Sequence, residues 1–139
     1  MSNPFDRTTI EGAARYFQRC VRNDDVDGAL GCFDAEAVYI PTLGTVVKGT
    51  AEIRKGLEVL CGMKPNLQAK RSRAFEVGDL ASWVDEWTLH ATMPDGTMLD
   101  MTGVSSDIMK RQRDGTWAYL VDNPYGAAVL GDAGTASRG

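Results

Sequence analysis

The chain has 139 residues, 43% of them hydrophobic and 24% charged, which is enough for one domain with a real core. Its 15 Lys and Arg against 19 Asp and Glu give a net charge of -4, and no long basic run occurs, so a nucleic-acid partner is not expected. No apolar run approaches the ~20 residues of a membrane span, and Met1 to Arg7 is polar without the apolar stretch of a secretory signal, so a cytoplasmic protein free of the membrane is expected.

In chain order, Thr8-Thr9-Ile10-Glu11 supplies a cap and an early acid. Ala13, Ala14, Phe17, Cys20 and Val21 then recur at helical spacing, until Asn23-Asp24-Asp25 breaks the pattern. A short second helix is predicted from Val26 to Phe33, capped by Asp25. Ala37 to Ile40 reads as a strand stopped by Pro41, Leu43-Gly44 as a turn and Val46-Val47 as a brief strand. A third helix follows, with Thr50 as its cap and Ile53, Leu57 and Leu60 apolar, and Gly62 and Pro65 end it.

The remainder reads as an antiparallel meander. Strands are predicted over Leu67 to Val77, Leu80 to Thr92, Met98 to Arg111 and Trp117 to Asn123. Turns at Gly78-Asp79, Pro94-Asp95-Gly96 and Asp114-Gly115 separate them. The segment from 127 to 139 is rich in Gly, Ala and Ser and is expected to fray. Helices first and strands later argue for an α+β domain spanning residues 1 to 139, with its core in about 8 to 126.

Cys20, Cys32 and Cys61 have no CxxC spacing and read as reduced, buried thiols. A nucleophilic Cys wants a neighbouring His, and His90 is the sole histidine. The scattered acids lack the spacing of a zinc site, and the glycines follow no phosphate-loop pattern. Neither metal nor cofactor is expected.

The order of a helix, "NDDVDGALGCFDAEAVYI", "KGTAEIR", a hairpin and "DGTWAYLVDN" resembles the nuclear transport factor 2-like superfamily over about residues 8 to 126. That group includes ketosteroid isomerases and SnoaL-like polyketide cyclases. The resemblance implies a cone: N-terminal helices packed on a curved, mostly antiparallel sheet around an apolar pocket. It also implies a homodimer formed through the sheet and a small apolar molecule as ligand. Because the fold hosts many reactions, it names none.

The resemblance gives meaning to Asp107, a carboxylate at mid-strand where Val, Ile or Thr is usual. "DIMK" matches the strand on which ketosteroid isomerases keep a neutral Asp in the oxyanion hole, an enzyme that is itself the standard example of such an acid. Asp107 is thus the candidate acid or oxyanion donor. Alternation places Ser105 and Met109 on its face. Phe17, Tyr39 and Leu57 join these as candidate pocket residues, and Asn123 and Tyr125 at the end of the last strand are candidate ligand orienters. The resemblance also departs from the isomerases: their general-base Asp falls on Pro41, which cannot take a proton.

Glu86 is the candidate replacement base, and its position depends on the hairpin. A two-residue Asp95-Gly96 loop puts Val84, Glu86, Thr88 and His90 on the face of Asp107. A three-residue loop puts Trp83, Asp85, Trp87 and Leu89 there instead. Two functions remain open. One is an isomerase, cyclase or dehydratase acting on an apolar carbonyl compound. The other is a non-catalytic, dimeric ligand-binding or association domain.

Overall fold

The computed structural model describes residues 3 to 131. Three helices pack on a curved, open, mixed sheet of six strands, ordered β2-β1-β6-β5-β4-β3. Helix α1 is Ile10–Arg22, α2 Val26–Leu30 and α3 Thr50–Gly62; the strands are β1 Phe33–Thr42, β2 Thr45–Lys48, β3 Asn66–Val77, β4 Leu80–Thr92, β5 Met98–Arg111 and β6 Trp117–Asp122.

The caps explain where the helices begin. Thr9 Oγ1 accepts from Gly12 N at 3.0 Å at the start of α1, and Asp25 Oδ1 accepts from Gly28 N at 2.9 Å at the start of α2. Helix α2 is shorter than predicted, because Phe33 already belongs to β1. Thr50 is not the cap of α3: Gly49 holds that position, without a side-chain bond. Pro41 does not stop β1. The strand runs on to Thr42, and Pro41 sits where the β1–β2 register slips between Tyr39 and Thr42, an irregularity that a residue without an N–H tolerates.

Strand β1 pairs with β6 in parallel, and all other neighbours are antiparallel. The core lies between the helices and the concave face, with Ala14, Val21, Ile53, Leu57, Trp83, Met109 and Trp117 almost wholly enclosed. All three cysteines are buried and unpaired. The frayed tail predicted from 127 is ordered in its first part as a 3-10 helix, Gly126–Leu130; residues 132 to 139 lie outside the described residues. No helix among the described residues is long and apolar enough to cross a membrane.

Candidate active site

The hairpin between β4 and β5 decides which side chains meet the core. Met93 N donates to Thr97 O at 2.7 Å, and Gly96 N donates to Met93 O at 2.8 Å. The loop is therefore three residues, Pro94-Asp95-Gly96. Gly96 has φ +86°, the left-handed position that such a loop needs and that Gly supplies without strain. The resulting register pairs Trp83 with Asp107, Asp85 with Ser105 and Trp87 with Gly103.

Glu86 consequently lies on the opposite face, paired with Val104, and its carboxylate meets Arg71 Nε at 2.7 Å. It borders none of the large cavity. The two-residue register that would have brought it beside Asp107 is not the one adopted.

Strand β6 carries a second shift of parity. Met109 opposes Tyr119, but Ile108 opposes Val121, so Leu120 is an extra residue in the ladder. Beyond this bulge the inward positions change. Ser106 N donates to Asn123 O at 2.9 Å, which sets Asp122 opposite Asp107. Simple alternation from Tyr119 would put Val121, Asn123 and Tyr125 inward; the bulge puts Asp122 there.

Concave face and helices enclose a cavity of about 490 Å³. Its walls are mostly apolar: Phe17 from α1, Tyr39 and Pro41 from β1, Leu60 and Met63 at the end of α3, Trp87 and Leu89 from β4, and Met101 from β5. Trp87 crosses β5 at Gly103, where a Cβ would stand 2.7 Å from the indole ring, and its Nε1 donates to Pro124 O at 2.8 Å. The polar members of the wall are few: Gln18, Thr42, Asp85, Ser105, Asp107 and Asp122, with the hydroxyls of Tyr39, Tyr119 and Tyr125.

Of the candidate site residues, Phe17, Tyr39, Ser105, Asp107 and Tyr125 border this cavity. Leu57 and Met109 do not; both are fully buried packing residues. Asn123 also lies outside the lining. Its Nδ2 donates to Gly126 O and its Oδ1 accepts from Tyr125 N, bonds that shape the turn after β6. Tyr125 Oη donates to Pro41 O at 2.7 Å and so ties that turn to β1.

Two buried acids define the chemistry. Asp107 Oδ1 accepts from Asn123 N at 2.8 Å, and Asp122 stands opposite Asp107 across β5 and β6, so that each carboxyl influences the protonation of the other. Burial raises the pKa of Asp107 well above the usual carboxylate range, and the neighbouring charge of Asp122 raises it further. Burial likewise pushes Asp122 up to about 7. Two neighbouring carboxylates away from water cannot both ionise cheaply, so the pair holds at least one proton near neutrality. The Ser105 hydroxyl is near enough to favour ionised Asp107 slightly, but it lacks hydrogen-bond geometry and its oxygen is left without a partner among the described residues.

Asp85 forms a second polar station. Its Oδ2 accepts from Gln18 Nε2 at 2.9 Å and from Arg15 Nη1 at 3.2 Å, while Arg15 Nη2 donates to Ser72 Oγ at 2.7 Å. Burial raises the Asp85 pKa, and Arg15 opposes that rise. Its Oδ1 is buried with no partner among the described residues, as is the Trp83 indole N–H. Among those residues no three His, Cys, Asp or Glu side chains converge as a metal site requires.

The chain is thus a cone-shaped α+β domain whose mostly apolar cavity carries an acidic patch in its wall. Residues 13–120 match the SnoaL-like domain family. The chain belongs to that family, within the nuclear transport factor 2-like superfamily. No curated protein matches the chain by sequence. Many solved structures share its fold, and three illustrate the likeness. A candidate aromatic ring hydroxylase from Novosphingobium aromaticivorans has a TM-score of 0.77 at 19% identity, over 91% of this chain and 92% of that one. Aln2 from a Streptomyces species has a TM-score of 0.72 at 20% identity, over 94% and 96%. A candidate ketosteroid isomerase from Shewanella frigidimarina has a TM-score of 0.71 at 12% identity, over 85% and 94%. At these identities the likeness concerns the fold alone.

Proposed function

We propose that the protein is a small-molecule enzyme of proton transfer, an isomerase, cyclase or dehydratase acting on an apolar carbonyl compound, with Asp107 and Asp122 as its acid–base pair. The observation that carries this reading is the pair itself: two buried carboxyls, set opposite each other on β5 and β6, in the wall of a mostly apolar cavity. A stability-minded sequence would place apolar residues there, since a buried acid pair costs desolvation that packing alone avoids.

In this reading a protonated oxygen of the pair donates to the substrate carbonyl as negative charge builds on it. The ionised member accepts a proton from the carbon next to that carbonyl. Glu86, outside the cavity, is not part of the chemistry. No step needs a cofactor. The apolar walls hold the substrate body and keep the local dielectric low, which strengthens both interactions.

The test is hydrogen–deuterium exchange at the α-carbon of apolar cyclic ketones in D2O, followed by proton NMR. Wild type should accelerate the exchange, and Asp107→Asn and Asp122→Asn should each lose most of that acceleration. Ketones that bind without any exchange would favour the other reading, a non-catalytic binding domain. Pro41 supports that alternative, because it puts no carboxylate where the isomerases would have their base.

A homodimer through the outer sheet face belongs to the same proposal. Phe75, Leu80, Val104 and Ile108 stand exposed on that face. Exposed apolar groups grouped on one sheet face mark an association surface. Light scattering on wild type and Val104→Lys gives the outcome: twice the monomer mass for the first and a shift to monomer for the second.

A further inference from the structure

The acid pair accounts for one polar station of the cavity and leaves the other without a use. Asp85 on β4 and Ser105 on β5 are direct cross-strand partners, both border the cavity, and both are at least nine-tenths buried. Asp85 Oδ1 and Ser105 Oγ are each without a partner among the described residues. A buried orphan oxygen is expensive, and two on adjacent positions of one wall need a common reason.

The rest of the Asp85 carboxylate is held firmly. Gln18 and Arg15 both donate to Oδ2, and Arg15 is itself anchored on Ser72 of β3. The carboxylate is thus turned so that one oxygen is occupied and the other is free. An orphan carboxylate oxygen can only accept a hydrogen bond, whereas an orphan hydroxyl can donate as well as accept. One group satisfies both at once: a hydroxyl that donates to Asp85 and accepts from Ser105.

We infer that Asp85 and Ser105 form a hydroxyl-binding subsite, so that the protein selects apolar compounds carrying a hydroxyl, such as a phenol, as well as a carbonyl. Arg15 and Gln18 are positioning residues for this subsite. Ser105 and Asp107 are two residues apart on one strand face, which separates the two stations by roughly 7 Å. That spacing suits a ketone with a phenolic hydroxyl across one aromatic ring. The inference rests on the proposed role of the acid pair for the carbonyl end only; the hydroxyl end stands on the orphan oxygens.

The experiment measures Kd by the fluorescence of Trp87 in the cavity wall, using three probes. These are para-hydroxybenzophenone, benzophenone, which lacks the hydroxyl, and para-hydroxydiphenylmethane, which lacks the carbonyl. In wild type the hydroxyl should tighten binding about tenfold or more, the range of a hydrogen bond to a charged group. Ser105→Ala and Asp85→Asn should each lose most of that preference, read as the ratio of para-hydroxybenzophenone to benzophenone affinity within the same variant, which loss of folding would not produce. Rescue by Ser105→Thr, which restores the hydroxyl, separates hydrogen bonding from packing.

Equal affinity for para-hydroxybenzophenone and benzophenone in wild type overturns the subsite, and so does a hydroxyl preference that survives in both variants. The carbonyl comparison tests the acid pair separately. If the hydroxyl preference holds but the carbonyl adds nothing, the pair's role falls and the subsite stands. If no probe binds at millimolar concentration, both fall.

Discussion

Titration of the acid pair should make this protein less stable as pH rises from acidic to neutral, the reverse of ordinary acid denaturation. The folded-state pKa of Asp122 is about 7, against 3.8 for the free side chain. Between these values the folded protein binds more protons than the unfolded chain, so unfolding becomes easier as pH rises. The contribution is fully present below about pH 4 and is lost as pH climbs to about 7. A rise of that size corresponds to roughly 4 kcal/mol, an upper figure because Asp107 shares the proton. For a chain of this length that is a fall in Tm of roughly 10 °C between pH 4.5 and pH 7.5. Asp34, whose carboxyl is held below the usual range by the Glu36 backbone N–H, loses its contribution only under more acidic conditions and does not mask the trend. The assay is thermal unfolding by circular dichroism across that range, for wild type and Asp122→Asn. The variant removes a titrating group while keeping a polar side chain opposite Asp107, so its slope should shrink and it should melt above wild type at pH 7.5. A residual slope is expected from Asp107 and Asp85, whose pKa values burial also raises. A wild-type Tm that is flat or rising over this range, or an unchanged slope in Asp122→Asn, would refute the shared-proton argument.

Three further outcomes follow from packing and register. Gly103→Ala forces a Cβ to within 2.7 Å of the Trp87 ring, so Tm should fall by the equivalent of about 1–3 kcal/mol with a change in tryptophan fluorescence. Glu86→Gln removes only a partly exposed ion pair with Arg71; its stability should stay within about 0.5 kcal/mol of wild type, and probe binding should be unchanged. Leu57→Ala empties a fully buried position beneath the cavity wall and should cost about 2–5 kcal/mol in chemical denaturation.

Much of the architecture was legible in the residues because its signals are local. Helical spacing and the Thr9 cap mark α1, and Asp-Gly turns separate strands whose lengths nearly match the predicted ones. The meander of long strands after helices points to α+β packing through the apolar faces alone. The unusual mid-strand Asp107 could be singled out for the same reason: a carboxylate in the centre of a strand has no local purpose. Its burial, the pocket positions of Phe17, Tyr39, Ser105 and Tyr125, and the buried state of the cysteines are all consistent with apolar neighbours visible in the sequence.

What tertiary structure decided was parity. A strand shows alternation but not which alternate faces inward, since shifting its partner by one residue exchanges the faces. The three-residue loop at Gly96 turned Asp85 into the cavity and Glu86 out of it. The bulge at Leu120 turned Asp122 inward and left Asn123 to the following turn. Pro41 looked like a strand end because its missing N–H is a local fact, whereas the slip in the β1–β2 ladder that accommodates it exists only once the strands have paired. Composition and periodicity thus determined that helices would pack on an antiparallel sheet in one α+β domain, and the family resemblance added the cone and its apolar pocket. The hydrogen-bonded registers of two hairpins determined which acids that pocket contains, because loop length and a bulge in the ladder, not the chemistry of any single residue, fix the direction of each side chain.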